Sequence, residues 1–357
     1  MQPKVINRRY YDEYFYNLSI DCVNKLGYPV IYENLTKNWI DIVSKQKESC
    51  IVIFPDYLID GTGYCRFTES DKTLLNNLDK KIFLVSSVRN AHLDFNFPNI
   101  VWLHAGSDML FQQLQYQQLK PVERKLFQQQ WHYISLSLIA RPRRLLGTSL
   151  ALYLNDNNGY ITVNVHPHNN KTWQDYFNQY NSLDSTQSQI LQQGWEKLLN
   201  HENPQKLEYP QCANHNTLNF NLQLRSLYEH TAVEIINKTT FFNQGIFVTE
   251  KFLNSVFGKN FPIFLANAGT VNYLRNSGFD MFDDVIDHRY DNESDPFQRL
   301  YKAVMLNKKL LQDKNFAIQK WVDCKSRFES NLYWAKNCMY KNFSEKFFNN
   351  FTLEVKS

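Results

Sequence analysis

Short apolar runs separated by polar, helix-length stretches recur along this chain. The first convincing one is Cys50-Ile51-Val52-Ile53-Phe54, closed by Pro55-Asp56. A continuous run of that kind suits a strand buried on both faces of a parallel sheet. A helix-like stretch around Leu74, Leu75 and Leu78 follows, then strands over 81–87 and 99–104. Strands spaced by helix or loop predict an α/β layer. The first fifty residues read as polar and helical, with Trp39 to Val43 giving one apolar turn, and 110–130 as a Gln-rich helix. The alternation then restarts: strand 131–137, helix 143–153, strand 160–164, strand 231–236, helix 250–257, strand 261–265 and helix 271–277. Between them, 169–221 reads as polar helix and loop broken by Pro204 and Pro210, and the last sixty residues read as helical. No internal repeat is evident. The pattern predicts two consecutive α/β units divided near residue 130: a first domain over 1–130, a second over 131–310, and C-terminal helices over 311–357.

Composition narrows the class. At 357 residues with 43% hydrophobic and 21% charged positions, the chain can bury real cores, which excludes global disorder. The longest apolar runs, 134–140 and 261–268, are far short of the ~20 residues a membrane span needs. The N-terminal residues carry no apolar signal region. The expectation is a soluble, cytoplasmic protein without a membrane span. The net charge of +4 is mild and its signs look interspersed, which permits a polyanionic partner without demanding one. The six cysteines form no Cys-x-x-Cys, so reduced thiols are expected.

The usual site motifs are missing. There is no phosphate-binding Gly-x-x-x-x-Gly-Lys, and Gly61-Thr62-Gly63 lacks the third glycine of a dinucleotide fingerprint. There is neither Gly-x-Ser-x-Gly nor His-Glu-x-x-His. No Asp-x-Asp occurs, Glu69-Ser70-Asp71 being the nearest approach, and His166, His168, Cys212 and His215 read as loop residues rather than zinc ligands. No metal and no cofactor is expected.

Two segments stand out. In 132–144 a strand runs into a loop with Arg141, Arg143 and Arg144 and then into a helix. Ligands of open α/β sheets bind beyond the carboxyl ends of strands, and arginine forks there match phosphate oxygens, although a solvated basic turn would look the same. In the second segment, Thr249, Glu250 and Lys251 open a helix. A carboxylate for ribose hydroxyls beside an ammonium for a diphosphate suits a sugar nucleotide. An ordinary Glu-Lys pair in a first helical turn fits the spacing equally well.

Together these segments resemble the α1,3-fucosyltransferase-like glycosyltransferases, and their virus- and phage-encoded relatives most of all. The resemblance rests on Phe247-Val248-Thr249-Glu250-Lys251 with Pro262-Ile263-Phe264. It continues through Gly269-Thr270, Tyr273-Leu274-Arg275, Gly278-Phe279, Phe282-Asp283 and Asp287-His288-Arg289-Tyr290-Asp291, then Asp295 and Arg299, and covers roughly 131–305. Lys238 departs from it, standing where those proteins carry an acidic residue.

The resemblance implies a GT-B fold: two facing Rossmann-like domains, acceptor in the first and donor in the second, with a C-terminal helical segment returning to the first. It implies metal-independent transfer from a nucleotide-sugar. Glu250 would hold the ribose, Lys251 the diphosphate, and Arg143 (or Arg141 or Arg144) the phosphate, with Thr249 completing the motif. The general base should come from a strand-end loop of the first domain, and Asp60 is preferred over Asp56, His104 and Asp108. The acceptor would be a hydroxyl, with hydroxymethylated pyrimidines in double-stranded phage DNA (and hence a host-cytoplasm location) set against a glycan or small molecule. A non-catalytic nucleotide-binding module is the reading from another class.

Overall fold

The computed structural model describes residues 4–6, 30–33, 39–45, 50–53, 69–86, 97–104, 122–124, 131–137, 142–154, 159–163, 173–174, 182–202, 224–238, 245–246, 248, 250–339, 341–343, 345–346 and 349. The chain clusters into two compact units. One comprises 1–114 with 243–249 and 338–357, and the other 115–242 with 250–337.

Among the described residues of the first unit, five parallel strands, β1 (Lys4–Ile6), β2 (Val30–Glu33), β3 (Cys50–Ile53), β4 (Ile82–Ser86) and β5 (Ile100–His104), are laid side by side in chain order. Helices α1 (Trp39–Ser44) and α2 (Glu69–Asn76) lie between them in sequence. Ile40, Val43, Leu75, Leu78, Ile82, Leu84 and Ile100 form one apolar core around Cys50. Burial pushes the Cys50 thiol up to about 11, so it packs there as a protonated, inert side chain. The helical reading of the first fifty residues is corrected here. Val30 to Glu33 pairs in parallel with both β1 and β3, and among the described residues only Trp39–Ser44 is helical. These strands are too short, three and four residues, to show a period in the sequence.

Among the described residues the second unit holds four parallel strands, β6 (Tyr133–Ser137), β7 (Gly159–Val163), β8 (Val233–Asn237) and β9 (Phe261–Leu265), in the order β7-β6-β8-β9. Helix α3 (Pro142–Leu154) links β6 to β7, α4 (Ser185–Leu199) and α5 (Arg225–His230) precede β8, and α6 (Glu250–Gly258) links β8 to β9. Then come α7 (Thr270–Asn276), α8 (Pro296–Met305), α9 (Lys308–Gln312), α10 (Lys314–Asp323) and α11 (Lys325–Asn337). Strands β8 and β9 are buried at every position, and β9 accordingly reads as an unbroken apolar run, while β8 carries Glu234 and Asn237 among its apolar residues. Among the described residues no helix is long and apolar enough to cross a membrane.

Helix α4 begins on a capping box, with Asp184 accepting from the Gln187 amide while the Gln187 side chain accepts from the Asp184 amide. It presses on α3 at Gly194, where an added Cβ would stand 2.2 Å from the Ser149 carbonyl oxygen. Alanine is the better helix former by ~1 kcal/mol. The clash is with backbone, however, and cannot be relieved by a rotamer change. Gly194→Ala should therefore lower stability by about 1–3 kcal/mol, read as a shift of the urea midpoint.

Candidate active site

Strand order locates the crevice. Among the described strands of the first sheet each is added on the same side of its predecessor, so their order does not reverse. In the second, β6 is followed outward by β7 on one side, while β8 and β9 lie on the other. Chains leaving the carboxyl ends of β6 and β8 therefore diverge, and open α/β sheets bind ligands in that gap. Because β6-α3-β7 and β8-α6-β9 are parallel crossovers, α3 and α6 both begin at this edge.

The N-terminal half of α3 is tied down on β8. The Asn237 side-chain amide donates to the Arg144 carbonyl at 2.7 Å and approaches the Thr148 hydroxyl at 3.3 Å. Gly147 permits this contact, since a Cβ there would stand 2.5 Å from the Leu265 side chain and 3.0 Å from that of Asn237. Arg144 is buried in this wall. Arg143 lies in the first turn of α3, and that turn contains no acid. Helix N-termini normally favour carboxylates, so a basic first turn adds charge to a dipole that already attracts anions.

The other wall is formed by β8 and α6. Side chains alternate along a strand, so with Asn237 turned to α3, Glu234 and Lys238 share the opposite face. Glu234 is buried there, and the Tyr228 hydroxyl donates to its carboxyl at 2.9 Å. Desolvation pushes the Glu234 carboxyl up to about 8, against the pull of the Tyr228 and Ser255 hydroxyls and of the Lys251 and Lys238 charges. It is therefore mostly protonated at neutral pH. Lys238 is buried at the end of β8 and its amide extends the ladder to the Leu265 carbonyl at 3.0 Å. Lys251 stands half-buried in the first turn of α6. Lys238 and Lys251 are thus close enough for their charges to act on the Glu234 carboxyl.

The next helix, α7, differs. The Asp291 carboxylate accepts from the Val271 and Asn272 amides at 3.1 and 2.9 Å, so its anion position is filled from within the chain. Much of the segment that carries the resemblance is scaffold of this kind. Arg275 pairs with Asp283 at 2.5 and 3.0 Å, and Tyr290 accepts the Phe264 amide of β9 at 3.1 Å. Buried Arg299 donates to the carbonyls of Ala266 and Glu293 at 2.8 and 2.5 Å, and the carbonyl of Ser294 lies 3.2 Å from it. A depression of about 590 Å³ next to these residues is lined by Arg275, Asp283, Asp287 and Arg289, whose charges already pair with one another. It offers a ligand little unbalanced charge.

Of the residues singled out from sequence, Arg143, Arg144, Glu250 and Lys251 fall on the two helix starts at the crevice. Arg141, Thr249, Asp60, Asp56 and Asp108 lie outside the described residues, as do His166, His168, Cys212 and His215. His104 ends β5. Among the described residues no cluster of three metal-ligating side chains occurs. Sequence reasoning missed Glu234 and Asn237. The one signal for them was a lone carboxylate inside the apolar run 231–236.

No family model matches the chain, and no curated protein matches it. Among solved structures, a glycosyltransferase from Rickettsia africae ESF-5 aligns over 91% of this chain and 84% of its own, at 12% identity and a TM-score of 0.35. Overlap that slight carries no argument about fold or activity, and the functional reading rests on the crevice.

Proposed function

We propose that the protein is a glycosyltransferase that moves a sugar from a nucleotide-sugar to a hydroxyl acceptor. The observation that supports this best is the pairing of two helix N-termini, both bearing cationic side chains, at the switch point of the β7-β6-β8-β9 sheet. A diphosphate fits that field. As the sugar leaves, charge grows on the nucleoside diphosphate, and preorganised cations and helix dipoles stabilise it without reorganisation. In this reading the chain is a GT-B enzyme that neutralises its leaving group with side chains rather than a metal. The donor set is Arg141, Arg143, Arg144, Thr249, Glu250 and Lys251. Asp60 of the first unit is the proposed base, removing the acceptor proton. A glycan, a small molecule and hydroxymethylated duplex DNA all present the required hydroxyl.

A thermal-shift panel of nucleoside diphosphates tests the donor site, because a ligand of the native state raises its melting temperature. Donor hydrolysis then separates an enzyme from a binding module. Stabilisation by a nucleoside diphosphate together with slow release from its sugar donor supports the transferase, whereas silence across the panel sinks the reading. Lys251→Ala should weaken nucleoside-diphosphate binding by ~1.5–3 kcal/mol, as for a lost charged hydrogen bond, measured by titration calorimetry. Wild-type affinity in that variant would remove α6 from the site.

A further inference from the structure

The charge that looks interspersed over the whole chain is concentrated in one stretch. Residues 302–325 carry six lysines against two aspartates, a net +4 that equals the charge of the entire chain. The rest of the protein is therefore balanced. Folding gathers part of this excess into a groove of about 750 Å³ along α9 and the start of α10, where Lys308, Lys309 and Lys314 surround Leu306. Lys308, Lys309 and Lys314 are exposed, and Leu306 is 37% exposed. Lys309 extends over the Phe316 ring at 4.3 Å and Lys320 approaches it at 5.7 Å, adding a fourth ammonium to the same surface. The Asp313 carboxylate, which also lines the groove, caps α10, accepting from the Phe316 amide at 2.9 Å.

This groove is not part of the crevice. The side chain of Gln312 donates to the Leu154 carbonyl at the far end of α3, and His132, at the entrance to β6, meets the Leu310 carbonyl at 2.8 Å. Both contacts lie at the amino edge of the sheet, at least a strand length of roughly 17 Å from the α3 and α6 starts. The basic surface and the candidate site occupy opposite poles of the second unit.

We infer that this groove is a docking surface for the face of an acidic phospholipid bilayer. Lysines at this density are attracted to an anionic leaflet, and an apolar side chain exposed among them is what interfacial binding adds to electrostatics. A nucleic-acid surface would be expected to show arginine forks for phosphate and open aromatic faces for bases. Here the cations are all lysines, and the one ring is covered by Lys309. The inference does not depend on the glycosyltransferase reading, since it concerns the other pole.

Sedimentation of the full chain with extruded vesicles tests it. The wild type should pellet with phosphatidylcholine–phosphatidylglycerol vesicles, stay in solution with phosphatidylcholine alone, and be released by high salt. The triple variant K308Q/K309Q/K314Q should partition roughly a hundredfold less, the product of three lost surface lysines, while its melting temperature falls only slightly, since all three are exposed and only the contact of Lys309 with the Phe316 ring is known to be lost. L306Q should weaken binding without altering its salt dependence. Failure to bind acidic vesicles, equal binding to neutral ones, or undiminished binding by the triple variant would overturn the proposal. Tighter binding of duplex DNA through the same lysines would overturn it too, assigning the groove to nucleic acid.

Discussion

Arg124→Ala should destabilise the second unit by about 3–5 kcal/mol, a larger loss than Gly194→Ala causes. The guanidinium donates to the carbonyls of Tyr228 and Thr231, to the Gly258 carbonyl at 2.6 Å and to the Asn260 side-chain oxygen at 2.7 Å. It also lies 5.1 Å from the centroid of the Trp321 ring. One side chain thus closes the C-terminal ends of α5 and α6 and the turns that feed β8 and β9. Burial pulls its pKa down to about 9, so it remains charged at neutral pH, and among the described residues no carboxylate pairs with it. Truncation leaves several enclosed acceptors without donors, each worth ~1–3 kcal/mol when unsatisfied. Arg124→Lys should recover little, because one ammonium cannot span acceptors placed for a planar fork. Calorimetric melting of the two variants is the measurement. A loss below ~1 kcal/mol in Arg124→Ala would show that water replaces the guanidinium and that the junction is not held by it.

Arg124 also marks a limit of the sequence. It sits in the stretch 110–130 that reads as a polar, Gln-rich helix, a reading the structure corrects at 122–124, which are not helical, and its acceptors are a hundred or more residues away. Nothing local announces a charge that works through distant carbonyls. The strands were legible for the opposite reason: β3 and β9 are continuous apolar runs and the others are short runs dominated by apolar residues, an imprint that burial leaves in composition. Strands β1 and β2 leave none at three and four residues. The starts of α3 and α6 were legible from the strand, arginine-bearing loop and helix of 132–144 and from Thr249-Glu250-Lys251, whereas their shared edge follows from strand order, which no short motif encodes. The motif residues 269–299 were visible as a pattern, but the pattern conveyed importance without distinguishing a ligand contact from a scaffold. Asp291 and Arg299 proved to be scaffold.

Stability should fall as pH rises from about 4.5 to about 8, and Glu234→Gln should abolish that part of the profile. Unfolded, the carboxyl titrates near its ordinary value of 4.5, and folded, near 8. Between those values the native state holds a proton that the unfolded state releases, so unfolding becomes progressively easier as pH rises. The contribution is fully present below the unfolded pKa and is lost through the folded one. Across the window the change is on the order of a few kcal/mol. Glutamine keeps an acceptor for the Tyr228 hydroxyl and cannot ionise, so E234Q should match the wild type near pH 5 and exceed it near pH 9. Urea titrations at the two pH values decide. Equal stability of both proteins at high pH would mean that Lys238 and Lys251 already hold Glu234 ionised. The same comparison bears on the crevice. In the proposed donor site, an ionised Glu234 would attract Lys238 and Lys251, whose charges act on its carboxyl, and so compete with a diphosphate for them. Nucleoside-diphosphate affinity should therefore decline above pH 8 in the wild type and stay level in E234Q over the same range. A parallel decline in both would place the titrating group elsewhere and detach the carboxyl beneath β8 from the chemistry at its end.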